Sequence, residues 1–160
     1  MYKSGSMSEF GNYRPISTLP IVSKVIEKAV HKQLTSYFET NNLLNESQFG
    51  FRSNRSTELA AAMFTDDVRK QVDKGSLVGA VFVDLGKAFD TVSHATLLHK
   101  LESYGIRGLE LEWFADYLFN RSQYVRISNN NSDTQKVING VPQGSVLGPL
   151  LVIIFLNTVK

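Results

Sequence analysis

A single aspartate, Asp84, closes the apolar run from Leu77 to Val83 and opens the stretch Asp84-Leu85-Gly86-Lys87-Ala88-Phe89-Asp90. A carboxylate at the carboxyl edge of a strand is the kind of oxygen ligand that a hard divalent ion takes, with waters and substrate phosphates filling the rest of the shell. The same position suits a turn or a helix cap, and one aspartate does not separate these readings. Asp90 is better placed to cap the helix that follows. Phe89 is expected in the core, with pressure on a ligand's sugar as the alternative.

Two further groups of residues invite a chemical reading. The loop Asn139-Gly140-Val141-Pro142-Gln143-Gly144-Ser145-Val146-Leu147-Gly148-Pro149 has glycines that let backbone approach a ligand, and Gln143 and Ser145 offer neutral hydrogen bonds. It matches neither a Walker phosphate loop nor the dinucleotide-binding glycine fingerprint. Arg14, in Asn12-Tyr13-Arg14-Pro15-Ile16-Ser17, and Arg52 with Arg55, in Gly50-Phe51-Arg52-Ser53-Asn54-Arg55, lie on loops beside predicted helix starts. Planar guanidinium forks there suit phosphate oxygens, and surface salt bridging is the plainer use. His31, His94 and His99 have no ligand spacing with carboxylates and are expected at the surface or in caps.

These residues need elements to hold them. From Ile21, apolar residues recur at steps of three and four through Val25, Ile26, Val30, Leu34 and Phe38, which predicts an amphipathic helix ending near Asn41-Asn42. Asn54 or Ser56 can cap a second helix over about residues 57–74, ended by Gly75-Ser76. Leu77 to Val83 reads as a strand buried on both faces. Ser93 or Asp90 can cap a helix carrying Leu97, Leu98 and Leu101 and closed by Gly105, and a shorter helix follows over about 108–119. Residues 123–128 and 134–138 read as hairpin strands around Asn129-Asn130-Asn131. The segment from Leu150 to Val159 is mostly apolar.

Composition bounds the function without choosing it. Seventeen basic and fifteen acidic residues leave a net charge of +2, too small to predict a nucleic-acid partner. With no cysteine there is no disulfide, thiolate metal site or thiol nucleophile, which suits a reducing compartment. The first residues lack the apolar stretch of a signal peptide, and the run from Val146 to Leu156 is too short to cross a bilayer. An intracellular protein, nuclear or cytoplasmic, with no membrane partner is expected.

Taken in order, Asn12 to Ser17, Ser23-Lys24-Val25-Ile26-Glu27-Lys28, Gln48-Phe49-Gly50-Phe51-Arg52, the Asp84 box and the Gly140 to Pro149 box resemble the reverse transcriptase domain of non-long-terminal-repeat retrotransposons, the LINE-like group with the jockey-type elements. The resemblance implies an α+β fold, a right-hand polymerase with fingers over 1–76 and a partial palm over 77–160, its helices packed on an incomplete antiparallel sheet. It implies RNA-directed DNA polymerase chemistry with Mg2+, an RNA template, a DNA primer and deoxynucleoside triphosphates. By position, Asp84 matches the first metal-binding catalytic aspartate, Phe89 the aromatic gate against a ribose 2′-hydroxyl, and Gln143 and Gly144 the loop at the incoming nucleotide. Arg14, Lys24 and Arg52 fall in motifs that touch template or triphosphate.

The sequence departs from the family at Gly86, where a serine is usual. It also ends at Lys160 without the aromatic-Ala-Asp-Asp box that carries the other catalytic aspartates. The expectation is a polymerase fragment that is inactive alone, with a non-catalytic nucleic-acid-binding remnant as the alternative and an unrelated α/β domain as a third reading. An unpaired strand edge and an apolar tail over Val152 to Leu156 would make it poorly soluble.

Overall fold

The computed structural model describes residues 1–157. Five α-helices carry the fold: α1 (Ile21–Thr40), α2 (Thr57–Asp73), α3 (His94–Ser103), α4 (Leu109–Leu118) and α5 (Gly148–Leu156). Their ends follow local chemistry. The Ser56 side chain accepts the Leu59 amide and caps α2, and Ser93 accepts the Thr96 amide and caps α3. Gly105, with φ +94°, turns the chain out of α3, a conformation that would strain a side-chain-bearing residue.

The core is made by helices packing on helices. Leu97 and Leu101 of α3, Phe114 and Leu118 of α4, and Leu151 and Ile154 of α5 close on Leu34 and Phe38 from the second half of α1. α5 is apolar on every face, which fits its burial from Leu150 to Ile154. Val152 to Ile154 of the apolar tail are therefore core, while Leu156 at its end stays 48% exposed. Lys100 holds the end of α5 by donating to the carbonyls of Phe155 and, at 2.7 Å, Asn157, where a cation complements the helix dipole. Asn157 links distant segments: its amide donates to the Leu43 carbonyl and the Tyr104 hydroxyl, and its Oδ1 accepts the Asn45 amide.

The strands differ from the sequence expectation in two ways. A single exposed ribbon forms, with β1 (Ser122–Gln123) antiparallel to β4 (Gln135–Lys136) and β2 (Arg126–Ile127) antiparallel to β3 (Asn130–Asn131). Its turn is Ser128-Asn129, with Ser128 at φ +54°, so Asn130 and Asn131 belong to a strand. All the strand residues are exposed, so the helices do not pack on a sheet as expected.

Leu77 to Val83 is the larger correction. The segment is neither a strand nor buried: Val81 is 90% exposed and Phe82 85%, and the Phe82 ring meets the ring of Phe64 on α2 at 5.8 Å. A strand makes no hydrogen bonds within itself and needs a ladder partner to hold its shape. Among the described residues none pairs with it. α2 likewise buries no residue, and the first turns of α1 leave Ile21, Val22, Val25 and Ile26 exposed.

Candidate functional site

The glycine loop and the turn after Asp84 are brought together by four hydrogen bonds. The Gly140 amide donates to the Val92 carbonyl at 2.7 Å, and the Val141 amide to the Phe89 carbonyl at 2.8 Å. His94 Nε2 lies 2.7 Å from the Gly140 carbonyl, and since a carbonyl only accepts, Nε2 carries the proton. Gln143 Nε2 donates to Asp90 Oδ1 at 2.9 Å. Asp90 is thus a partner of Gln143 and not the helix cap anticipated for it. His94, expected at the surface or in a cap, is the first residue of α3 and is buried, with its ring against Phe119.

Gly140 has no room for a side chain. A Cβ there would stand 2.9 Å from the Phe89 carbonyl oxygen and 3.0 Å from the backbone of Asp90, and its φ is +88°. Backbone cannot swing aside as a side chain can. Gly140→Ala is expected to cost roughly 1–3 kcal/mol from conformation alone, with the clash in addition. A urea midpoint unchanged from the parent would refute this.

On its other side the loop is held by the amino-terminal segment and by α1. The Ser17 amide donates to the Gln143 carbonyl at 2.8 Å, and a Cβ on Gly144, at φ +104°, would come 3.3 Å from the Ser17 carbonyl. Below it lies Glu27, which is 1% exposed with no cationic partner among the described residues. Its Oε2 accepts the amides of Val146 at 2.6 Å and Leu147 at 3.3 Å, while Oε1 accepts the Tyr117 hydroxyl at 3.2 Å. Leu147 and Val146 immediately precede α5, where amides lack helical acceptors. Sequence reasoning missed this role. The available signal was spacing: Glu27, Val30, Leu34 and Phe38 form one stripe of α1, so a carboxylate sits on the helix's core face.

Asp84 is exposed in the irregular segment, and its carboxylate makes no hydrogen bond among the described residues. Phe89 is half-buried, meeting Phe51 edge to face at 6.4 Å and packing on the core. Arg14 and Lys24 project from exposed positions. Arg52 is engaged within the chain: Nε and one terminal nitrogen grip Glu39 at 3.0 and 2.6 Å, and the other terminal nitrogen donates to the Asn45 carbonyl at 2.9 Å. Hydrogen bonding from Arg52 holds Glu39 below the usual carboxylate range.

The family model described as reverse transcriptase (RNA-dependent DNA polymerase) matches residues 2–160. The chain belongs to the reverse transcriptase family. Among curated proteins it is similar to the probable RNA-directed DNA polymerase from transposon BS of Drosophila melanogaster, 35% identical over 90% of this chain and 16% of that protein. The X-element polymerase of the same species is 36% identical over 89% of the chain and 16% of its own length. The polymerase of its mobile element jockey is 32% identical over 97% and 17%. The resemblance to jockey-type elements is therefore borne out, and the unrelated α/β reading falls even though Leu77 to Val83 lies outside any sheet. The chain spans about one-sixth of the length of these relatives.

In this reverse transcriptase segment no group of three or more histidine, aspartate or glutamate side chains gathers among the described residues. Asp84 offers one carboxylate suited to a hard ion, and Asp90 already accepts from Gln143. Such carboxylates are the kind of ligand a hard divalent ion takes, and the described residues do not gather enough of them for a two-ion cage.

The Tyr117 hydroxyl ties the site to pH. Burial pushes it up to about 12, and the Glu27 carboxylate adds to the effect. An unfolded tyrosine loses its proton near pH 10, so between about pH 10 and 12 the unfolded state releases a proton that the folded state keeps. Stability from this group is complete below about pH 10 and is lost by about pH 12, a fall of about 2–3 kcal/mol. Urea melts across that range should show the loss in the parent and a shallower one in Tyr117→Phe. Equal slopes would refute the assignment.

Proposed function

We propose that this chain is the fingers (1–76) and upper palm (77–160) of a retrotransposon RNA-directed DNA polymerase, acting with an RNA template, a DNA primer and deoxynucleoside triphosphates. The observation that carries the reading is the docking of the 140–143 loop on residues 89–94, which bonds the loop carrying Gln143 and Gly144 to the turn carrying Phe89. Those are the positions the family uses at the incoming nucleotide. In this reading Phe89 is the gate against a ribose, held by Phe51 and the core so that its ring does not yield. Gln143, oriented by Asp90, presents its remaining polar capacity to nucleotide and template. Asp84 supplies one oxygen to Mg2+, which neutralises the triphosphate when bound. The chain's own contribution is to orient substrates around that carboxylate.

Arg14 and Lys24 are exposed beside this loop's support and suit template or triphosphate phosphates. Arg52 would reach a phosphate only by exchanging Glu39 for it, and otherwise holds the 45–52 loop on α1. The test is binding of a single-stranded RNA oligonucleotide by fluorescence anisotropy over a salt series. Arg14→Gln with Lys24→Gln should weaken binding and reduce the salt slope by about 1.4, the release expected for two phosphate contacts on a single strand. An unchanged slope would remove both residues from the template path. No RNA binding by the parent at low salt would count against the fingers assignment as a whole.

A further inference from the structure

The base of the β ribbon holds an open cavity of about 490 Å3, lined by Phe119, Asn120, Arg121, Lys136, Val137 and Ile138. Two of its six lining side chains are cationic and none is acidic, so its charge favours an anion. Three of the others are apolar. Phe119 and Ile138 remain 43% and 77% exposed, although the Phe119 ring meets His94 at 5.6 Å. Anionic and flat apolar chemistry at one place is what a nucleotide unit presents.

Local structure sets these groups in advance. Asn120, at φ +58°, turns the chain sharply between α4 and β1, separating Phe119 at the end of the helix from Arg121 at the start of the ribbon. The Arg121 guanidinium sits 5.2 Å from the centre of the Tyr117 ring, which restrains it. The register places Lys136 opposite Ser122, and the Val137 amide donates to the Arg121 carbonyl at 2.9 Å, so both cations arise from the same end of the ribbon. Further out, the exposed Tyr124 follows β1 and Arg126 opens β2, and Asp133 is the one acid between residues 121 and 138.

We propose that this ribbon base binds an unpaired stretch of template RNA, with a base against Phe119 and Ile138 and adjacent phosphates on Arg121 and Lys136. None of Arg14, Lys24, Gln143 and Gly144 lines this cavity, and the proposal rests on the polymerase reading above. An unpaired strand is required because a duplex hides its base faces, whereas aromatic stacking on a single strand accepts any base.

The test uses the 160-residue chain and a fluorescent single-stranded RNA of mixed sequence, with the parent, Arg121→Gln/Lys136→Gln, Lys136→Gln alone and Phe119→Leu compared. The double variant should lose about 1.4 from the salt slope and the single variant about 0.7. Phe119→Leu should weaken binding on the order of ten-fold with the slope retained. Lys136 has an exposed side chain on the ribbon, so its replacement reports on binding even if the Arg121 and Phe119 variants fold poorly. Parent binding that falls in the Arg14/Lys24 variant but is unchanged in Lys136→Gln would overturn this inference and leave the polymerase reading standing. Absence of parent binding would overturn both. Competition by DNA of the same sequence at lower concentration than RNA would overturn the assignment to template RNA.

Discussion

Replacing Glu27 with alanine destabilises the chain by roughly 3–5 kcal/mol, a large part of the roughly 5–15 kcal/mol that holds a domain of this kind together. The substitution leaves the amides of Val146 and Leu147 and the hydroxyl of Tyr117 without their acceptor, and each unmade bond at a buried donor costs about 1–3 kcal/mol. The cavity left in the α1 stripe adds to this. Glu27→Gln keeps one acceptor oxygen but turns an amide NH2 toward a donor, so it should fall between the parent and alanine. Urea unfolding followed by circular dichroism measures all three. A loss in Glu27→Ala below about 1 kcal/mol would show that water replaces the carboxylate and that α1 does not anchor the loop. The functional consequence follows from position: Val146 lies three residues beyond Gln143, so releasing it frees the loop that carries the proposed nucleotide contact.

The second large effect concerns Asp84. The 160-residue chain should give no magnesium-dependent primer extension on an RNA template, because the described residues gather no group of three or more possible metal ligands. In a longer polymerase carrying this segment, Asp84→Ala should lower extension on the order of a thousand-fold, the loss of several kcal/mol of metal-borne charge stabilisation. Stability should stay within about 0.5 kcal/mol in the short chain, since the side chain is exposed and makes no hydrogen bond there. Extension by the short chain that Asp84→Ala abolishes would overturn the inactivity. Extension by the longer protein that survives the substitution would remove Asp84 from the catalytic set. These outcomes are independent of the Glu27 result.

The two predictions concern different kinds of residue. Glu27 is buried and remote in sequence from what it holds, whereas Asp84 is exposed and has no hydrogen-bond partner among the described residues. The segment Leu77 to Val83, which leads into Asp84, and α2 also leave apolar residues exposed. A segment with β-type composition that is left open in this way displays a face with no partner among the described residues.

The sequence by itself determined α1 to α4, candidate caps for α2 and α3, and the family, whereas α5 was legible only as an apolar run. The stripe of α1, the Ser56 and Ser93 caps and the left-handed Gly105 were legible because a helix closes its hydrogen bonds within four residues, so its instructions are local. The order of five short motifs sufficed to identify a reverse transcriptase of the jockey kind. What only the tertiary structure decided were partnerships across long separations: Glu27 with Val146, 119 residues apart, His94 with the Gly140 carbonyl, 46 apart, and Asp90 with Gln143, 53 apart. Leu77 to Val83 belongs with these, because an apolar run states a preference for a sheet while its hydrogen bonds must come from another strand. Composition can announce that need; only the rest of the fold can meet it.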